Sequence, residues 1–110
     1  MDNHLDKFFA AMADPTRRAV IEQLVDGPAP VSDLYAPHDM ALPSFLKHLK
    51  RLEAAGLVRS EKVGRVRTVH IEAAPLRQAE DWLGQQRRLW EGRLDRLDAL
   101  VRRLEEGDET

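Results

Sequence analysis

Seven side chains able to meet a polyanion are gathered in a short part of this chain. Ser44, Lys47, His48 and Arg51 lie within eight residues, and Lys62, Arg65 and Arg67 follow within the next sixteen. Cations at such spacing neutralise phosphate oxygens, and Ser, Lys and Arg also reach base edges. Catalysis needs other sets of residues. There is no Gly-rich phosphate cradle, no nucleophile spaced with a histidine and no acidic pair in an apparent cleft, so the chain reads as no enzyme and as carrying no cofactor. It has no cysteine, which removes disulfides, thiolate ligands and thiol redox sensing. His4, His38, His48 and His70 show no i, i+4 pair or other ligand spacing, so no metal site is expected. A site shared between subunits through His4 or His38 is the one arrangement left.

The elements that must hold these groups are legible around them. Phe45, Leu49 and Leu52 recur at i, i+4 and i+7, one apolar stripe of a helix, while Ser44, Lys47, Lys50, Arg51 and Ala54 fall on the other side. Pro43 suits the first turn, and Gly56 stands where a left-handed residue would end the helix. His48 lies at the edge of the apolar face, where packing or phosphate bonding competes with base reading. Two runs rich in Val, Thr and Ile follow, Val58 to Val63 and Val66 to Ile71, separated by Gly64-Arg65. They read as a hairpin with a tight type II′ turn.

Charge is distributed to match. The chain of 110 residues has a net charge of −2. Residues 41–71 hold seven Lys and Arg against two Glu, a net of +5, which leaves −7 for the remainder. A charge run alone is usually a solvated face; one followed directly by a basic hairpin is the outline of a winged helix-turn-helix, with double-stranded DNA as partner. No apolar run is long enough for a membrane span, and the N-terminal residues do not read as an export signal, so no membrane partner is expected and the compartment is the cytoplasm.

The flanking segments complete one small domain. Leu5, Phe8, Phe9 and Met12 mark a first helix over residues 3–12. Asp14 and Pro15 cap and open a second, expected to run to about residue 25, which Gly27 ends. A short third helix starts near Ser32 and stops before Pro37. After Ala73-Ala74-Pro75 a long helical stretch begins, in which Leu76, Leu83, Trp90, Leu97 and Leu104 recur every seven residues beside Leu94 and others. Such a seam pairs helices. Gly84 and Gly92 leave open whether residues 75–104 form one helix or two. Trp82 and Trp90 read as core, or as the wall of a small-molecule effector site between subunits.

With these pieces assembled, the chain resembles the ArsR/SmtB family of small bacterial winged-helix repressors over nearly its whole length. The resemblance rests on Ala13-Asp14-Pro15-Thr16-Arg17-Arg18, on Leu42-Pro43-Ser44-Phe45-Leu46-Lys47-His48-Leu49 with Leu52-Glu53-Ala54-Ala55-Gly56-Leu57-Val58, and on Gly64-Arg65. It implies a homodimer, paired through first and last helices, that occupies an operator. The family's metal-sensing branches carry ligands this chain lacks: Pro30-Val31-Ser32-Asp33-Leu34 replaces a Cys-x-Cys segment, and residues 75–104 contain no histidine. Ala41 and Leu46 also stand where many members have serine.

The fold expected is therefore mainly α with a small antiparallel β-hairpin: a winged helix-turn-helix over residues 1–74, a C-terminal helical dimerisation segment of the same domain over 75–106, and a frayed tail over 107–110. DNA contacts are assigned to Ser44, Lys47, His48, Arg51, Lys62, Arg65 and Arg67. Dimer contacts are assigned to Leu5, Phe8, Phe9, Leu83, Trp90, Leu94 and Leu97. The function expected is a dimeric repressor at a pseudo-palindromic operator; the rival is a winged-helix module that binds another protein through its last helix.

Overall fold

The computed structural model describes residues 4–108. Its elements run α1 (His4–Met12), α2 (Pro15–Gln23), β1 (Ala29–Pro30), α3 (Val31–Tyr35), α4 (Leu42–Ala54), β2 (Val58–Val63), β3 (Val66–Ile71) and α5 (Ala73–Asp108). By contacts the chain falls into two compact units, residues 1–79 and 80–110.

In the first unit Phe45, Leu24, Leu34, Leu52, Leu57, Val20 and Val69 are fully buried, drawing on α2, α3, α4, β3 and the segments between them. Ala79 is 2% exposed and belongs to this core, with Leu76 packed against it. The expected boundary after residue 74 thus falls five residues early, because the first turns of the last helix complete the winged domain.

Local signals account for most helix ends. Asp14 accepts from the Thr16 and Arg17 amides at 2.8 and 3.1 Å, capping α2, and Pro15 occupies its first turn. The end of α4 is a Schellman turn: Gly56 N–H donates to Glu53 O and Leu57 N–H to Leu52 O, both at 3.0 Å, with Gly56 at φ +74°. Leu52 and Leu57 are both fully buried, supplying the hydrophobic contact that accompanies the motif.

The sheet has three antiparallel strands in the order β1-β3-β2, where only the hairpin was expected. β1 pairs Ala29 with Val69 and Pro30 with Thr68. Its two residues are too few to show alternation, and a proline is tolerated there because β1 is an edge. In the hairpin Gly64 has φ +64°, and among the described residues no non-glycine residue has positive φ, which agrees with a type II′ turn. α2 also ends two residues before the expected 25.

α5 runs without a break through Gly84 and Gly92, so residues 75–104 form one helix, and it continues through Gly107 to Asp108. The tail expected to fray from 107 is helical there, and residues 109–110 lie outside the described part. Within the second unit Leu83, Trp90, Leu94, Leu97, Leu100, Val101 and Leu104 are 49–62% exposed. Trp82 and Trp90 are not core residues of this chain, at 40 and 59% exposure; Arg93 lies 5.6 Å from the Trp90 ring centroid. Among the described residues no helix is long and apolar enough to cross a membrane.

Candidate nucleic-acid interface

The short connection between α3 and α4 is pinned from both sides. Tyr35 Oη donates to Met40 O at 2.7 Å, and its ring lies 5.3 Å from that of Phe45. Gln23 donates from Nε2 to Leu34 O at 3.1 Å, while its Oε1 is 2.9 Å from His38 Nε2. These bonds tie α2, α3 and the turn into one frame for α4. They also engage His38 within its own chain, with its ring 5.1 Å from Phe45. Among the described residues no group of three or more His, Asp or Glu is gathered as for a metal ion.

On α4, Ser44, Lys47 and Arg51 are exposed and His48 is half-buried. Together with Asp14 and Arg17 they line an open cavity of about 380 Å³. Arg17 is the residue sequence reasoning missed. Its type suggests a solvated residue or a contact to the DNA backbone, yet it is 6% exposed. Nε donates to Ala11 O at 2.6 Å and Nη2 to Ala10 O at 3.2 Å, and Nη1 lies 3.1 Å from His48 Nδ1. Arg18 Nη1 donates to Met12 O at 2.7 Å. Both guanidiniums thus satisfy carbonyls at the C-terminal end of α1, which has no basic residue in its own last turn. The signal available in sequence was position: the Asp14 cap sets Arg17 in the first turn of α2, immediately after α1.

The Asp14 carboxyl lies below its ordinary pKa. Partial desolvation raises it but is outweighed by the Arg17 amide, the nearby His48 ring, the Thr16 amide and the Arg17 guanidinium acting together.

The wing separates its charges by face. Ser60 pairs with Val69 and Lys62 with Arg67, so the face that carries buried Val69 near the base carries two cations further out. On the other face Arg59 meets Glu72 at 2.7 Å and Glu61 at 3.8 Å, and His70 lies 3.5 Å from Glu61. Arg59 is therefore neutralised. Lys47, Lys50, Arg51, Lys62, Arg65 and Arg67 make no ion pair among the described residues. A directly opposed like-charge pair such as Lys62 and Arg67 is unfavourable unless an anion lies between them. Arg65 and Arg67 also line a concavity of about 260 Å³ with Pro30, Val31 and Ser32. A hydrogen bond from Ser60 Oγ to Glu53 Oε1 joins the wing to α4.

The seven residues assigned to DNA are thus on the surface of one unit, four on α4 and three on the wing. Those assigned to the dimer divide. Leu5 and Phe8 turn inward, Phe8 with 9% exposure, because residues 5, 8 and 12 share the stripe that covers the core. Phe9 stands beside that stripe at 39% exposure, and Leu83, Trp90, Leu94 and Leu97 are exposed.

Comparison with known proteins agrees with this architecture. A family described as a helix-turn-helix domain matches residues 12–61. The crystal structure of an ArsR family transcriptional regulator superposes with a TM-score of 0.77 at 54% identity, over 81% of this chain and 92% of that one. This chain belongs to the ArsR family. HTH-type transcriptional regulator Rv2034 of Mycobacterium tuberculosis is 35% identical over 71 residues, 64% of this chain and 66% of that protein. Transcriptional repressor SdpR of Bacillus subtilis is 24% identical over 79 residues, 72% of this chain and 88% of that one. Like its ArsR relatives, the chain is a DNA-binding transcriptional regulator with a winged helix-turn-helix.

Proposed function

We propose that this ArsR-family regulator is a homodimeric, non-enzymatic repressor that acts in the cytoplasm at a pseudo-palindromic operator. The observation that carries the dimer is the apolar stripe of α5. Leu83, Trp90, Leu94 and Leu97 are half or more exposed along one helix, and Leu100, Val101 and Leu104 extend the row. Isolated exposed leucines need no explanation, but a continuous row at heptad spacing is a surface that a second helix covers. Phe9 of α1 extends this reading to the first helix. Trp82 and Trp90, brought together across two subunits, would wall an apolar cleft for a small-molecule effector.

Ser44, Lys47, His48 and Arg51 enter the major groove in this reading, and Lys62, Arg65 and Arg67 meet the adjoining backbone. The uncapped start of α4, with Ala41 supplying no side-chain bond, leaves amide N–H groups for an approaching phosphate. A two-fold dimer would place its recognition helices about one helical turn of DNA apart, near 34 Å.

The test is titration of the purified protein against DNA from just upstream of its own gene, at low and physiological salt, with unrelated DNA as competitor. Sedimentation of the same samples reports assembly. Tight, salt-sensitive, sequence-selective binding by a dimer is expected. Equal, weak binding to both DNAs would overturn operator recognition there and favour a protein partner for α5.

A further inference from the structure

We infer that Arg17 fixes the tautomer of His48, so that the recognition helix presents an N–H donor at Nε2 and pairs there with an acceptor on DNA. The inference deepens the regulator reading and rests on it.

The chain of reasoning starts from what a guanidinium can do. Arginine offers only donors and stays protonated. His48 Nδ1 lies 3.1 Å from Arg17 Nη1, so Nδ1 must accept and the proton of the neutral ring must sit on Nε2. Arg17 is not free to turn away: it is 6% exposed and held by Ala11 O at 2.6 Å and Ala10 O at 3.2 Å. Asp14 does not compete for a proton on Nδ1. Its Oδ1 is 3.7 Å from the ring, beyond hydrogen-bond reach, and already accepts from the Thr16 and Arg17 amides.

Nε2 is then the ring nitrogen left for the cavity that His48 shares with Ser44, Lys47 and Arg51. An N–H donor there suits a phosphate oxygen or a major-groove acceptor: guanine N7 and O6, adenine N7 or thymine O4. It does not suit the amino group of adenine or cytosine. Arg17 acts as a positioning residue, connecting the end of α1 to the ring on α4 that meets DNA.

Two independent measurements decide the matter. In the protein without DNA, long-range ring ¹H–¹⁵N correlations at a pH where His48 is neutral should show Nε2 protonated and Nδ1 bare. Arg17→Lys, which keeps the charge but not the three-way fork, should shift His48 toward a tautomer mixture. A protonated Nδ1 in the wild-type protein would overturn the inference. Because Arg17→Lys also alters a buried site, a second pair of variants is read on DNA from upstream of the gene. His48→Leu, which has no donor, should bind about three- to tenfold more weakly. His48→Gln, whose side-chain amide reaches the place of Nε2, should recover most of that loss. A deficit confined to the upstream sequence identifies a base-edge acceptor; an equal deficit on random DNA, with the salt slope unchanged because the neutral ring displaces no counterion, identifies phosphate. Equal binding by wild type, His48→Leu and His48→Gln would refute the DNA contact. If the wild-type protein does not prefer the upstream DNA, operator recognition there fails while the ring correlations still decide the tautomer.

Discussion

Replacing Arg65 by alanine should flatten the salt dependence of DNA binding by an amount that also counts subunits. Arg65 sits at the wing tip, is exposed and makes no ion pair among the described residues, so no protein carboxylate offsets its charge. Each phosphate neutralised on duplex DNA adds about 0.9 to the slope of log K against log salt. One substitution removes two contacts from a dimer, a slope change of about 1.8, but one from a monomer, about 0.9. Between about 50 and 200 mM salt the deficit of the variant should therefore shrink roughly twelvefold for a dimer and roughly 3.5-fold for a monomer. Arg59 is the internal control, since its guanidinium is already bonded to Glu72 at 2.7 Å. Arg59→Ala should leave the slope nearly unchanged. Fluorescence anisotropy of a labelled upstream fragment over a series of salt concentrations measures both. Parallel plots for Arg65→Ala and wild type would refute the phosphate contact, and an equal change in Arg59→Ala would refute the division of charge between the wing's faces.

Leu97→Glu changes a side chain that is 50% exposed in one chain, so it should alter the stability of the single subunit by no more than about 0.5 kcal/mol. Sedimentation should nevertheless show loss of the dimer together with weaker operator binding; an intact dimer would remove Leu97 from the interface. Asp14→Ala should cost about 0.5–2 kcal/mol in urea unfolding at neutral pH through loss of the α2 cap. The folded pKa of Asp14 lies below 3.8, so its contribution is complete above the unfolded value and is lost as pH falls through the folded one; the gap between variant and wild type should close on acidification, and a widening gap would contradict the sign. Gly56→Ala meets no closer neighbour than Pro75 Cγ at 3.9 Å, but φ is +74°, so backbone strain alone should cost about 1–2 kcal/mol. That loss appears in thermal or urea unfolding, and a neutral effect would show that the Schellman turn relaxes.

What could be read in advance was what local chemistry controls. α4 begins and ends where Pro43 and Gly56 indicate, and the hairpin turns at Gly64-Arg65, because these features depend on backbone preferences of single residues. The misread parts depend on partners distant in sequence or on sums. β1 exists only because β3 lies alongside it. Arg17 is polar by type and buried in fact, since the carbonyls it satisfies belong to another helix. Phe8 and Phe9 are adjacent and chemically alike, and the phase of α1 against the core alone separates them. In α5 each glycine costs about 1 kcal/mol relative to alanine, but Leu, Arg, Glu and Gln around Gly84 and Gly92 carry the helix through.

The way Arg17 and Arg18 close the end of α1 bears on how the chain acquires its structure during synthesis. α1 has nine residues, too few to persist as an isolated helix in water. Its last carbonyls receive their side-chain donors from α2, and its stripe of Leu5, Phe8 and Met12 packs on a core built from later elements. α1, which leaves the ribosome before the other elements described, is thus among those that gain stable structure only after much of the chain has followed. Until then its two phenylalanines are open to solvent and to whatever binds nascent apolar chain.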